Sequence, residues 1–231
     1  IHSIDSIANK YNLKVIYDAA HAFAVEYQEQ SLLNHGDMSV LSFHATKVFN
    51  TFEGGAIVCH DEETKNRLKK LTNFGFVNEV EIDGLGMNAK MSEVNAALGL
   101  VQLKHIDNAI VQREKVDMLY REGLTKITGI SCLSQTNQSK KNYAYFPIFV
   151  NHQYPLQRDE LYEKLKNNGY FVRRYFYPLT SSFPLYREYG SSVESNLSVA
   201  HLRSNQVICL PIYPGLPVED INSIIQLINE A

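Results

Sequence analysis

Two apolar runs that each end in a polar cluster constrain this chain more than any other feature of it. Lys14-Val-Ile-Tyr17 runs into Asp18-Ala-Ala-His21, and the β-rich run from Met38 to Phe43 runs into His44-Ala-Thr46-Lys47. Glu53-Gly54-Gly55 and a further apolar run, Ala56 to His60, come next. The first run suits a buried parallel strand. In open α/β sheets ligands gather beyond the carboxyl ends of strands, which is where Asp18 falls. Lys47 lies on a loop between two strands. The pattern therefore puts a carboxylate and an imidazole at one strand end, and a hydroxyl (Ser42) and an amine after a later strand.

Those groups match what pyridoxal phosphate (PLP) requires: an amine for the Schiff base, a carboxylate for the pyridine nitrogen and a hydroxyl for the phosphate. Asp18-Ala-Ala-His21, the Ser42-Phe-x-x-x-Lys47 spacing, Glu53-Gly-Gly and Gly86-Met-Asn88-Ala-Lys90-Met-Ser-Glu93 together resemble the DegT/DnrJ/EryC1/StrS family of nucleotide-sugar aminotransferases. The resemblance extends to Asn142-Tyr-Ala-Tyr-Phe-Pro147 and Arg174-Tyr-Phe-Tyr-Pro178. It implies an α/β, aspartate-aminotransferase-like large domain (PLP fold type I) with a smaller α+β domain after it. Compared with the family, the part before Ile1 is missing, including the first strands of the large sheet and a phosphate-binding turn. The large domain is thus expected to be incomplete at its N-terminus. The 231 residues by themselves are expected to bind PLP poorly, to lack activity and to associate, unless another polypeptide supplies the rest.

The totals bound the function class. A length of 231 residues, 45% hydrophobic and 20% charged, suits an ordinary globular chain with a sizeable core. A net charge of −3 gives no electrostatic case for nucleic acid or a membrane surface. There is no signal-peptide pattern and no apolar run long enough to span a bilayer. Cys59, Cys132 and Cys209 lack metal-ligand spacing and read as buried free thiols of a reducing cytoplasm; no metal is expected.

Along the chain, residues 2–11 read as an amphipathic helix. Phe23 to Tyr27 alternates like an edge strand, and Asn34 to Asp37 is turn chemistry. Asp61 offers an N-cap to a helix with Leu68, Leu71 and Phe74 on its apolar side, closed by Gly75. Residues 77–88 read as a loop. Ser92 opens a long helical region, recapped near Asp107 and continuing towards Leu124. The character changes near Gly129: strands at Tyr145–Val150, Phe171–Tyr177 and Asn205–Leu210, helices at Arg158–Asn168 and Pro217–Asn229. The domains so read are 1–128, the C-terminal part of the PLP-binding domain with its interdomain helices, and 129–231, the small domain.

Each candidate site residue has two readings. Lys47 is either a solvated surface charge or the Schiff-base lysine that also moves the substrate proton. Asp18 either caps the turn after its strand or, ionised and partly buried, holds the pyridine nitrogen protonated. His21 is a structural histidine or, by the resemblance, packs on the cofactor's face. Ser42 bonds nearby backbone or holds phosphate, with Thr46 as a second hydroxyl near the phosphate. His44 carries no role in the resemblance, and Glu53 is read as orienting the Lys47 loop. Asn88 is a left-handed loop residue before the Ser92 cap or, as the resemblance implies, reaches the phosphate of a neighbouring subunit, so that a homodimer shares its sites. Lys90 stands where many members have Arg. Arg174, Tyr175 and Tyr177 either face a nucleotide sugar or belong to a strand with one buried side.

The resemblance implies PLP-dependent transfer of an amino group, from L-glutamate, to a dTDP-4-keto-6-deoxy sugar such as dTDP-4-keto-6-deoxyglucose. Such products feed O-antigen or capsule synthesis in a bacterial cytoplasm. A sugar dehydratase of the same family is disfavoured, because it normally has His in place of Lys47. A non-catalytic paralogue that binds sugar nucleotide or merely dimerises is the alternative from another class.

Overall fold

The computed structural model describes residues 1–134 and 139–230; residues 135–138 and 231, which fall in the second domain read from the sequence, lie outside the described residues. The elements in order are α1 (His2–Tyr11), β1 (Ile16–Asp18), β2 (Glu26–Tyr27), β3 (Gln30–Ser31), β4 (Met38–Ser42), β5 (Gly55–Cys59), α2 (Glu62–Leu71), α3 (Glu93–Leu103) and α4 (Ile106–Leu124). They continue with β6 (Ile130–Cys132), β7 (Ser139–Lys140), β8 (Phe146–Val150), α5 (Arg158–Asn167), α6 (Ser198–Gln206), β9 (Val207–Leu210) and α7 (Val218–Asn229). The chain forms two compact units, Ile1–Asn108 with Thr136–Asn142, and Ala109–Gln135 with Tyr143–Ala231. Their division falls inside α4, whereas the sequence pattern changes character at Gly129.

In the first unit the sheet order is β1-β4-β5, with β1 parallel to β4 and β5 antiparallel to it. Asp18 pairs with Val40, two residues before Ser42, so both strands finish at the same edge. The strand expected at residues 14–17 is parallel but not buried: Ile16 is 59% exposed, because β1 is the outer strand of its sheet. On β4 the alternation is plain, with Ser39 and Leu41 buried on one face and Ser42 on the other.

Phe23–Tyr27 is not an edge strand. Bonds from Ala22 N to Ala19 O and from Val25 N to Ala22 O coil the chain into turns, and β2, only two residues long, is the central strand of β3-β2-β7. Helix α2 starts where expected, with the Asp61 carboxylate accepting from Thr64 N at 2.7 Å. It ends at Leu71 rather than running to Gly75, and Leu71 and Phe74 stay exposed. Ser92 caps α3 by accepting from Asn95 N at 3.2 Å. Asp107 is not a recap: it lies within the first turn of α4.

The second unit is built on the antiparallel order β6-β8-β9. Phe146, Ile148 and Val150 of β8 point inward at a period of two, and Ile221, Ile224 and Ile228 form the inner face of α7. They share one core with Tyr120, Leu161, Leu165 and Ile208. Residues 171–177 do not form a strand. Arg173 bridges Cys209, then the Tyr177 N–H closes a turn onto Arg174 O at 2.7 Å. Pro178, lacking an N–H, follows it and has nothing to donate to a ladder. Helix α6, absent from the sequence reading, occupies residues through Gln206 and delays the last strand to Val207.

The three cysteines are free, but only Cys209 is fully buried, while Cys59 and Cys132 are half-buried. Burial pushes the Cys209 thiol up to about 11. Among the described residues there is no cluster of metal-ligating side chains, and no helix is long and apolar enough to cross a membrane.

Candidate active site

Asp18, His21, Ser42 and Lys47, all of the first unit, gather at the edge where β1 and β4 end. Lys47 Nζ lies 3.1 Å from His21 Nε2. Burial first, then the positive charge of Lys47, lowers the His21 pKa from its ordinary 6.5, against an opposing pull from the Asp18 carboxylate. The imidazole is therefore neutral at pH 7, and Nε2 is the acceptor for the lysine amine. Asp18 is exposed rather than partly buried, since it ends an outer strand, and its carboxylate accepts from Ala20 N at 3.1 Å. That is the turn-capping bond of its plainer reading. Ser42 is half-buried and accepts from His44 N at 3.4 Å.

Two loops meet here, and side chains with no assigned role in the sequence reading hold them. Phe23, Phe43 and Phe49 form a trio: Phe23 stacks on Phe49 with centroids 4.3 Å apart, and Phe43 meets Phe49 edge-on at 4.9 Å. Phe49 is 4% exposed, so the Lys47 loop is pinned by an aromatic ring two residues from the amine. Asn142 is buried and donates to both His21 O and Phe23 O at 2.9 Å. Asn95, on the first turn of α3, donates to Thr51 O at 2.5 Å and Glu53 O at 3.0 Å, fastening the far end of the loop. The period-two and period-3.6 patterns carry no trace of such bonds to backbone carbonyls. Only the repeated Phe after each polar cluster was a usable signal.

Gly54-Gly55 are required by close approach. Gly54 has φ +152°, and a Cβ there would lie 2.6 Å from Thr51 Oγ1 and from Met91 Cε, while one on Gly55 would lie 2.7 Å from Leu41 O.

The other candidates make separate contacts. Asn88 is exposed, its Oδ1 accepts from Lys90 Nζ at 2.8 Å, and its backbone bridges Asn73. It is not among the positive-φ residues, so it is no left-handed turn. Arg174, Tyr175 and Tyr177 belong to the second unit. There Arg174 pairs with Asp159 at 2.7 Å and lies over the Tyr162 ring at 4.3 Å, and Tyr175 meets Tyr145 edge-on at 5.4 Å. Arg158, read from the sequence only as the start of a helix, is buried, pairs with the same Asp159 carboxylate and lies 4.3 Å from the centroid of Tyr177. The alternation of residues 171–177 thus reflects a turn packed on cation–π contacts.

A primary amine against a neutral imidazole, a carboxylate and a strand-end hydroxyl on one sheet edge form a donor set that fits PLP. A family model, the DegT/DnrJ/EryC1/StrS aminotransferase family, matches residues 1–229. The chain belongs to that family. Aminotransferases of this family are PLP-dependent. The chain is 50% identical over 228 residues to the dTDP-4-amino-4,6-dideoxy-D-glucose transaminase of Shigella dysenteriae, and 42% identical over 231 residues to the Escherichia coli enzyme of the same name. In each case 99% of this chain is covered and 62% of the relative, so the chain spans less than two thirds of their length. Among solved structures, DesV of S. venezuelae superposes with a TM-score of 0.90 at 25% identity, covering 99% of this chain and 60% of that one. The expected α/β architecture of PLP-dependent sugar aminotransferases is therefore correct.

Proposed function

We propose that this chain acts in a PLP-dependent aminotransferase that moves an amino group from L-glutamate to a nucleotide-linked keto-deoxysugar, dTDP-4-keto-6-deoxyglucose. The observation that carries the reading is the Lys47 amine held 3.1 Å from a neutral His21 at the edge where Asp18 and Ser42 end parallel strands. This keto sugar is the one whose amination at C4 gives the dTDP-4-amino-4,6-dideoxy-D-glucose in the name of the relative that is 50% identical over 228 residues.

PLP, when bound, supplies an electron sink for bond-breaking at the amino-bearing carbon. The chain supplies the rest. Lys47 anchors the group through its amine and moves the proton at the reacting carbon. Asp18 holds a proton at the pyridine nitrogen, and its exposure calls for the bound ring to cover it. His21, neutral, accepts from the Lys47 amine without adding a competing charge. Ser42 holds phosphate oxygens, and Asn88 does so from a second copy, so the working form is a homodimer with shared sites. Arg174, Tyr175 and Tyr177 contact the nucleotide sugar. Residues 1–128 form the later part of the PLP-binding domain and 129–231 the small domain. A product of this class supports a bacterial cytoplasmic enzyme that serves O-antigen or capsule synthesis.

The test, run on the full-length enzyme in which this chain is proposed to act, is a peptide map after PLP and borohydride, with a mass-spectrometric assay of dTDP-4-keto-6-deoxyglucose plus L-glutamate. Phosphopyridoxyl on Lys47 and a 4-amino product are expected, and both vanish in Lys47→Ala and Lys47→Arg, because a guanidinium stays protonated. Label on another lysine, or turnover by Lys47→Ala, refutes the assignment. A product that has lost water in place of gaining nitrogen favours the dehydratase.

A further inference from the structure

The turn that presents Lys47 is closed by His44. Its Nδ1 accepts from the Thr46 backbone N–H at 3.3 Å and lies 3.0 Å from Thr46 Oγ1. A backbone N–H can only donate, so Nδ1 carries a lone pair and the neutral ring has its proton on Nε2. Nε2 lies 3.6 Å from Glu53 Oε1, an ion that favours a proton on that side. The His44 carbonyl meanwhile accepts from Lys47 N at 2.9 Å. One residue thus ties two N–H groups of the turn, Thr46 by its side chain and Lys47 by its backbone.

A side-chain acceptor bonded to the N–H two residues on is the device that Asn and Asp use in turns. The same loop repeats it with Ser42 to His44 N at 3.4 Å and Asn50 to Phe52 N at 3.5 Å. At position 44 it is the δ atom of an imidazole that does so. The long lysine side chain has many rotamers, and only some bring Nζ to His21. A displacement of about 1 Å at a reacting group is enough to lose about a hundredfold in rate.

We propose that His44 is a positioning residue for the Lys47 amine: its Nε2–H tautomer, accepting at Nδ1, holds the Thr46 N–H and so aims Lys47 at His21. The inference rests on the assignment of Lys47 made above. His44 acts through Lys47 and touches no reacting atom.

The experiment compares His44→Asn, His44→Gln and His44→Ala. Asn places an acceptor where Nδ1 was, Gln places it one bond further out, and Ala has none. His44 is exposed, so all three are expected to keep the native circular dichroism. The first readout is the rate at which residue 47 acquires a borohydride-fixed phosphopyridoxyl label. His44→Asn is expected to match the parent, while His44→Gln and His44→Ala slow by about tenfold or more. In turnover, kcat falls in the same order with KM for the nucleotide sugar unchanged. The second readout needs no variant: ¹⁵N NMR of the native protein is expected to show His44 Nδ1 as the unprotonated nitrogen.

Equal labelling rates for Asn and Gln, or a proton on Nδ1 at neutral pH, overturn the proposal. Parent protein labelled at a different lysine instead overturns the Lys47 assignment, so the two failures are distinguishable. A loss of structure in His44→Gln leaves the NMR result to decide.

Discussion

At the scale of single residues, the chemistry turns on which groups are charged at pH 7. Asp18 has the carboxylate needed at a pyridine nitrogen, and Asp18→Asn keeps the shape and the acceptor for Ala20 N while losing the charge. Transamination is expected to fall by orders of magnitude, each lost pK unit of coupling being worth about 1.4 kcal/mol. Near-parent turnover would reduce Asp18 to a turn residue. His21 makes a stability prediction with a definite sign. Its folded-state pKa lies below the ordinary 6.5, so between those two values the unfolded chain binds the extra proton and the folded one does not. Its contribution is complete above the ordinary value and is lost as pH falls through that window. Chemical denaturation midpoints should therefore drop as pH falls below the ordinary 6.5, and His21→Gln should flatten part of that slope. An unchanged slope would mean that the proton is taken up equally in both states.

At the scale of elements, the site depends on loops that side chains hold from behind. Phe49 supports the Lys47 loop by packing against Phe23 and Phe43, and it is nearly inaccessible to solvent. Phe49→Ala is expected to cost about 3–5 kcal/mol, the range for emptying a buried aromatic site. Denaturant titration followed by far-UV circular dichroism checks it. A loss below about 1 kcal/mol would show that the loop closes over the gap, since the cost depends on how far the site collapses. The Lys47 loop itself was legible as a loop, from Gly54-Gly55 and the strands on either side. Its fastening by Asn95 and Asn142 was not, because those bonds join segments 42 to 44 and 119 to 121 residues apart. Sequence periodicity reports only neighbours on the same element.

At the scale of the whole molecule, the proposal that Asn88 serves a second copy makes a prediction about mixtures. Asn88 makes its side-chain bond to Lys90, not to Asp18, His21, Ser42 or Lys47, among the described residues. If it acts across a dimer, Lys47→Ala and Asn88→Ala, each inactive alone, should regain up to about a quarter of parent activity when mixed in equal amounts and allowed to exchange subunits. Half of the dimers are then mixed, and each has one site with both defects and one with neither. Failure to regain activity, with exchange proven by mass, counts against the shared site.

The order of polar clusters, their placement after apolar runs and the caps at Asp61 and Ser92 were determined by the sequence alone, because each is a local matter of one or two turns of chain. The same locality carried the family resemblance, since Asp18-Ala-Ala-His21 and Ser42 to Lys47 are short motifs. Only tertiary structure decided that Asp18 is exposed, that β2 is central, and that residues 171–177 turn back on Arg158 and Asp159. It also decided that His21 meets Lys47, 26 residues on. Alternation at 171–177 satisfies a strand and a cation–π turn equally well, and pairing partners choose between them. Burial likewise belongs to whatever packs against a residue, so a strand's own composition does not settle whether it is an outer or an inner one.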